Sequence, residues 1–216
     1  MALDFYHGHG SPYSWRVWLA LEFKAVPYNL KVLSFSDNDT TKPEFVAINP
    51  RHTVPTIVDD GHALWESMAI VEYLDERFPN APKLYPGDAK DRARIRRLIR
   101  EIEYYVYAEC IDKIVEELFW KKEGEASNME RVGAARDKLR EELAYFAKEL
   151  RGKYIAGDTL SAADCVLYPS LAYCWRINVR RPDAGLGDVI PPALADYKKR
   201  IEALPYFDKT FPPHWR

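Results

Sequence analysis

The stretch Asn49-Pro50-Arg51-His52-Thr53-Val54-Pro55-Thr56-Ile57-Val58-Asp59-Asp60-Gly61-His62-Ala63-Leu64-Trp65-Glu66-Ser67 is the most instructive part of this 216-residue chain. Two prolines, Pro50 and Pro55, lead into a short apolar run, and an acid–serine pair follows a turn. Val54 precedes a proline and is biased to an extended backbone. Pro55 has no N–H, so a strand that it opens is either an edge strand or one entered through a cis bond. Val54 then offers its own N–H and C=O to an extended ligand, as in strand addition. Ser67 stands where a helix begins at Met68-Ala69-Ile70-Val71, and free N–H groups at a helix start attract an anion. The pattern describes a docking edge for a peptide backbone beside a site for its carboxylate.

Upstream, residues 2–6 read as a strand, 12–24 as a helix and 28–33 as a second strand, punctuated by Gly8, Gly10 and Pro27. A short helix over 44–48 leads to a strand over 56–59. An Asp59-Asp60-Gly61 turn, a brief strand at 63–64 and a helix over 67–77 follow. A strand–helix–strand unit followed by a hairpin and a helix is a thioredoxin-like layout, with a mixed four-stranded sheet. Pro79, Pro82, Pro86 and Gly87 mark a linker over 79–88. Beyond it, helical periodicity runs over 89–121, 128–151, 161–178 and 193–204. The expected architecture is therefore a thioredoxin-like α+β domain over 1–78 and an all-α bundle over 89–216. Within the bundle, Val132, Ala135, Leu139, Leu143, Phe146 and Leu150 line one helix face, and Ser161-Ala162-Ala163-Asp164 has the form of a capping box.

Composition narrows the function classes. A formal net charge of −2 gives no electrostatic reason to expect nucleic acid or an anionic membrane as partner. The arginine-rich run over 91–100 is followed by Glu101, Glu103 and Glu109, which suits a solvated helix face or a subunit contact. No window has the length of a membrane span, and nothing at the start has the form of a signal peptide. Cys110, Cys165 and Cys174 are odd in number and widely spaced, which fits a reducing compartment, the cytoplasm. No cysteine precedes Cys110, so thiol–disulfide exchange through the first domain is not expected. His7 and His9 flank Gly8, but no third metal ligand is placed by spacing.

The Asn49–Ser67 segment resembles the glutathione-binding site of the soluble glutathione transferases, nearest the theta and delta pattern. It matches Asn-Pro-x-His-x-Val/Ile-Pro followed by Asp-Gly-x-x-Leu/Ile-x-Glu-Ser at each position. The phrase Ser11-Pro12-Tyr13-Ser14-Trp15-Arg16-Val17 resembles the active-site motif of the serine-type members, with zeta-like features. The resemblance implies that Ser11 donates a hydrogen bond to the sulfur of glutathione, with Ser14 in reserve and Tyr6 and Tyr13 as lesser candidates. It implies that His52 meets the glycine carboxylate, that Val54 and Pro55 align the tripeptide, and that Glu66 and Ser67 hold the γ-glutamyl end. Thr40 and Met68 depart from the pattern, standing where relatives place a histidine and an arginine, and Lys42 is one candidate for the missing charge.

Tyr13, Tyr104, Tyr107 and Ile111 are the expected wall of a pocket for a hydrophobic electrophile. The resemblance further implies a homodimer, and residues 204–215 resemble the tail of bacterial members. Conjugation of the glutathione thiolate is the leading expectation. Glutathione-dependent isomerisation or dehalogenation, and a non-catalytic ligand-binding module, stand as alternatives. Tyr13 in the place of the cysteine usual in the zeta branch argues against isomerisation.

Overall fold

The computed structural model describes residues 3–216 and divides into two compact units. The first runs to Tyr85 and also takes in residues 205–216. Its elements are β1 (Leu3–His7), α1 (Pro12–Lys24), β2 (Tyr28–Val32), a short α2 (Pro43–Val46), β3 (Thr56–Asp59), β4 (His62–Trp65), α3 (Ser67–Arg77) and a one-turn α9 (Phe207–Thr210). The strand order is β2-β1-β3-β4, with β1 parallel to β2 and the other pairs antiparallel, so the sheet is mixed as expected. Ala2, placed in the first strand by its sequence, lies outside the described residues.

The register explains the core. Phe5 pairs with Ile57, and Ile57 with Leu64, in the middle of the sheet. Phe5 and Ile57 are fully buried, against a helical layer that includes Trp15, Val17, Trp18, Leu21, Ile70, Val71 and Leu74. Strand β3 is internal rather than an edge. Of the two options that Pro55 leaves open, the cis bond is the one realised, between Val54 and Pro55. Asp60 (φ 48°) and Gly61 (φ 84°) turn the β3–β4 hairpin in the left-handed region that a two-residue loop requires.

Residues 205–216 do not join the helical bundle, as sequence placement had suggested. The reason is aromatic. Trp15 on α1 packs against Phe207 and Phe211 and lies 5.5 Å from Trp215, and its Nε1 donates to Thr210 Oγ1 at 3.0 Å. Residues 79–85 likewise belong to the first unit. Buried Lys24 donates to Asp75 (3.0 Å) and to the carbonyl of Pro82 (2.9 Å), and Asp75 accepts from Leu84 N at 2.7 Å.

The second unit comprises α4 (Ala89–Glu101), a π-helical segment (Ile102–Ile111), α5 (Asp112–Phe119), α6 (Met129–Glu149), α7 (Ala162–Arg180) and α8 (Pro192–Glu202). The expected single helix over 89–121 is therefore rewound at its centre. Buried Ile102, Val106, Cys110, Ile114 and Leu118 recur every four residues. A four-residue step falls between the turn of an α-helix and the wider turn of a π-helix, so the drift over the π segment is offset by the opposite drift over α5. The Ser161–Asp164 capping box is formed: buried Asp164 accepts from Ser161 N, Ser161 Oγ and Ile155 N at 2.8–2.9 Å. The arginines of α4 pair with glutamates, Arg94 and Arg97 with Glu149 and Arg100 with Glu103, leaving a face of mixed charge.

Candidate active site

Ser11 is the N-cap of α1, with extended backbone (φ −75°, ψ 117°) and Pro12 at the first helical position. Its N–H donates to Gly8 O at 3.1 Å, closing a β-turn whose third residue, Gly10, has φ 87°. Its Oγ accepts from Ser14 N at 3.2 Å. A hydroxyl has one proton to donate and two lone pairs. The cap bond uses a lone pair, so the proton stays available to an anion outside the helix. Capping and donating are thus compatible roles for one side chain. Ser14, the reserve candidate, is fully buried, and its Oγ has no hydrogen-bond partner among the described residues. Tyr6 is half-buried against Phe45, 5.6 Å between ring centroids, and burial raises its phenol further from ionisation.

The 49–56 loop is built around one buried amide. Asn49 Nδ2 donates to Thr53 O and Thr56 Oγ1, both at 2.9 Å, and Asn49 Oδ1 accepts from Arg51 N at 2.9 Å. This network shapes the segment that carries His52, Val54 and Pro55. His52 is exposed, takes φ 46° and donates its N–H to Asn49 O at 2.9 Å. Among the described residues neither the N–H nor the C=O of Val54 has a hydrogen-bond partner. An extended ligand would satisfy both. The side chain of Val54 faces the turn before Ser11: a Cβ built on Gly8 would lie 3.1 Å from Val54 Cγ2.

At the start of α3, Glu66 rather than Ser67 is the N-cap residue. It is exposed, takes φ 71° and makes no side-chain cap bond, so the helix opens with uncapped N–H groups. Ser67 is buried at the first helical position, where its Oγ accepts from Arg16 Nη1 at 3.4 Å. Arg16 is fully buried on α1, and its guanidinium stacks 4.5 Å over the ring of the exposed Tyr13. A buried cation thus lies behind the helix end where an anion would dock. Lys42 pairs with Asp39 at 2.6 Å on the surface. Arg16 was not among the site residues expected from the sequence, and its place behind Ser67 makes it a candidate. The signal was present as a single charge within the apolar run Trp15–Leu21.

In the second unit the tyrosines of the π segment divide. Tyr104 is 57% exposed, whereas Tyr107 and Ile111 are buried. Of these three pocket candidates, only Tyr104 presents substantial surface. The cysteines are buried and form no disulfide, and burial pushes the thiols of Cys110 and Cys174 up to about 11 and about 12, far from a reactive thiolate. His7 and His9 touch, but no group of three or more His, Cys, Asp or Glu side chains suits a metal ion among the described residues. No described helix is long and apolar enough to cross a membrane.

Comparison with known proteins places these features. The sequence matches the family "Glutathione S-transferase, N-terminal domain" over residues 10–77 and "Glutathione S-transferase, C-terminal domain" over residues 110–205. Glutathione S-transferase D7 of Drosophila melanogaster is 33% identical over 174 residues, which cover 79% of this chain and 74% of the relative. The crystal structure of a glutathione S-transferase from the Antarctic clam Laternula elliptica superimposes with a TM-score of 0.84 at 28% identity. That match covers 100% of this chain and 94% of the clam protein. Glutathione S-transferase isozyme E7 of Drosophila melanogaster gives a TM-score of 0.76 at 28% identity over 96% of this chain and 90% of its own. With two family domains in order and a relative matched over most of its length, the chain belongs to the glutathione S-transferase family.

Proposed function

We propose that this protein conjugates the thiolate of glutathione to hydrophobic electrophiles, with Ser11 as the residue that stabilises the thiolate. The observation that carries this reading is the geometry of Ser11: its oxygen is occupied by the Ser14 N–H while its proton remains free at a helix N-terminus. A thiolate is the nucleophile and a thiol is not. Lowering a thiol pKa from about 8.5 by about two units requires about 2.7 kcal/mol of preferential binding to the anion. A hydroxyl hydrogen bond to an anion, assisted by the helix end, is of that size.

The remaining roles follow the layout of the first unit. The unpaired backbone groups of Val54 hold the cysteinyl stretch of the tripeptide, and His52 meets its glycine carboxylate. Ser67, the uncapped N–H groups of α3 and buried Arg16 take the γ-glutamyl carboxylate, while exposed Glu66 accepts from the ammonium. Catalysis comes from positioning and charge stabilisation, with no covalent enzyme intermediate. Tyr13, exposed on the first unit, supplies aromatic surface for the electrophile.

The serine-type theta or delta assignment, a bacterial source, a homodimeric assembly and a cytoplasmic setting complete the proposal. They are supported by the Asn49–Ser67 wording, the 204–215 phrase, the family's habit and the three cysteines that form no disulfide, in that order. The test pairs calorimetric binding of glutathione with turnover of an activated aryl halide and an isothiocyanate. Binding with turnover is expected. Binding without turnover across a broad electrophile panel would leave a ligand-binding module instead.

A further inference from the structure

Three histidines surround the turn that ends in Ser11, and the conjugation chemistry described above uses none of them. His7 closes β1, is buried, and places Nε2 3.1 Å from His9 Nδ1. Its ring sits between Trp18 and His9, at 4.5 and 4.9 Å between centroids. From the other side, the 205–216 segment lays His214 on the turn. A Cβ built on Gly10 would lie 3.1 Å from His214 Nε2 and 3.7 Å from Trp215 Nε1. Trp215 is buried and held by Trp15, whose own indole N–H anchors Thr210. The helix capped by Ser11 therefore also seats the segment that covers the turn leading into Ser11.

We infer that His9 and His214 are positioning residues for Ser11: with His7 they clamp the Gly8–Ser11 turn from two sides, and the clamp holds while the imidazoles are uncharged. The inference rests on the reading of Ser11 given above. The turn contains Gly8 and Gly10, the latter at φ 87°, and beyond the Ser11 N–H to Gly8 O bond these glycines offer little resistance to a change of backbone. The His7–His9 bond fixes the second residue of the turn, and His214 closes over the third. Protonation opposes this arrangement. Burial and the neighbouring His9 hold His7 down at about 3, while burial and the neighbouring His214 lower His9. A charge on either His9 or His214 would face the other.

Three cations on the packed elements have partners of their own. Arg16 of α1 donates to Ser67, Lys209 of the 205–216 segment pairs with Glu22, and Arg216 donates to the carbonyl of Asp208. The aromatic neighbour supplied by α1 is the uncharged Trp18.

His214→Gln removes the charge and keeps a polar side chain, and His9→Gln does the same within the turn. Ring-nitrogen NMR on the protein without glutathione follows the titration of His9 in the wild type and in His214→Gln. The expected result is that His9 titrates below the ordinary histidine range and moves upward in His214→Gln. Conjugation kinetics from pH 5 to 8 should show kcat about tenfold lower in both variants, with KM for glutathione changed by less than about twofold. The wild-type acid limb of kcat should steepen with a second proton that His214→Gln loses. An unmoved His9 titration, or unchanged kcat and acid limb in both folded variants, overturns the clamp. A Ser11→Ala control separates the two readings. Full activity in that control removes Ser11 from the chemistry, whereas the NMR coupling of His9 to His214 is decided without any turnover.

Discussion

The two units of this protein bury polar groups for different ends. In the second unit the buried polar residues Asp164 and Ser161 form a closed cap, each donor meeting an acceptor, and Glu117 is tied to Lys121, Arg131 and Asn128 N. In the first unit, beside the closed Lys24–Asp75 network, two polar groups lie beneath surfaces where backbone groups stay open: Arg16 behind the uncapped start of α3, and Asn49 behind the unpaired Val54. Among the described residues, left-handed backbone outside glycine is found in the first unit alone, at Ala25, Asn38 and Asp60 away from the proposed site and at two positions beside it. His52 and Glu66 both take positive φ and both border the proposed glutathione site. A closed buried network serves folding, and an open one with a cation or amide behind it is prepared for a ligand.

Substitutions that separate stability from affinity test this contrast. Asp164→Ala should do the greatest damage, leaving three buried donors without an acceptor. A loss of about 4 kcal/mol in urea unfolding is expected, with glutathione affinity unchanged in whatever fraction remains folded. Arg16→Met should do the reverse. A buried charge replaced by an apolar side chain of similar length leaves stability level or improved. The Kd for glutathione should rise by roughly 30-fold, about 2 kcal/mol, as read by calorimetry. Asn49→Ala is expected to cost about 2 kcal/mol and to raise KM for glutathione more than it lowers kcat, because it frees the 49–56 loop.

Acid should act on the first unit through His7. Its folded pKa lies at about 3, below the unfolded value of 6.5, so the unfolded chain binds the proton more readily. Its contribution is fully present above about pH 6.5 and declines toward pH 3, by at most about 1.4 kcal/mol per pH unit. Urea midpoints measured from pH 7 to 4 should fall more steeply for the wild type than for His7→Phe. At the surface, Arg97→Ala should change stability by less than about 1 kcal/mol despite its bonds to Glu101, Glu149 and Tyr145. A larger loss there would show that mixed-charge faces carry more of the second unit than its caps do.

Local chemistry was legible in the sequence, and long-range packing was not. Ser11-Pro12 marks the start of α1, Asp59-Asp60-Gly61 marks the hairpin, and the Glu66-Ser67 pair marks α3 to within a residue. Each depends on backbone preferences within a few positions. The burial of Arg16 depends on α3 arriving beside α1, and no local pattern encodes that meeting. The return of residues 205–216 to α1 is equally non-local, although Phe207, Phe211 and Trp215 in so short a segment signalled an apolar face needing cover. The π winding over 102–111 escaped because an apolar row at four-residue steps also fits a drifting α-helix. It left Tyr104 outside and turned Tyr107 and Ile111 inward.

The ionisation of glutathione bound to the wild type and to Ser11→Ala bears most directly on the role of Ser11. Thiolate absorbance is followed against pH at saturating glutathione. The wild type should ionise the bound thiol about two units below the free value of about 8.5. Ser11→Ala should return it close to that value, with kcat at neutral pH lower by roughly 100-fold. A Ser11→Ala protein that binds glutathione and still ionises it at the wild-type pH would contradict the assignment of the thiolate to Ser11.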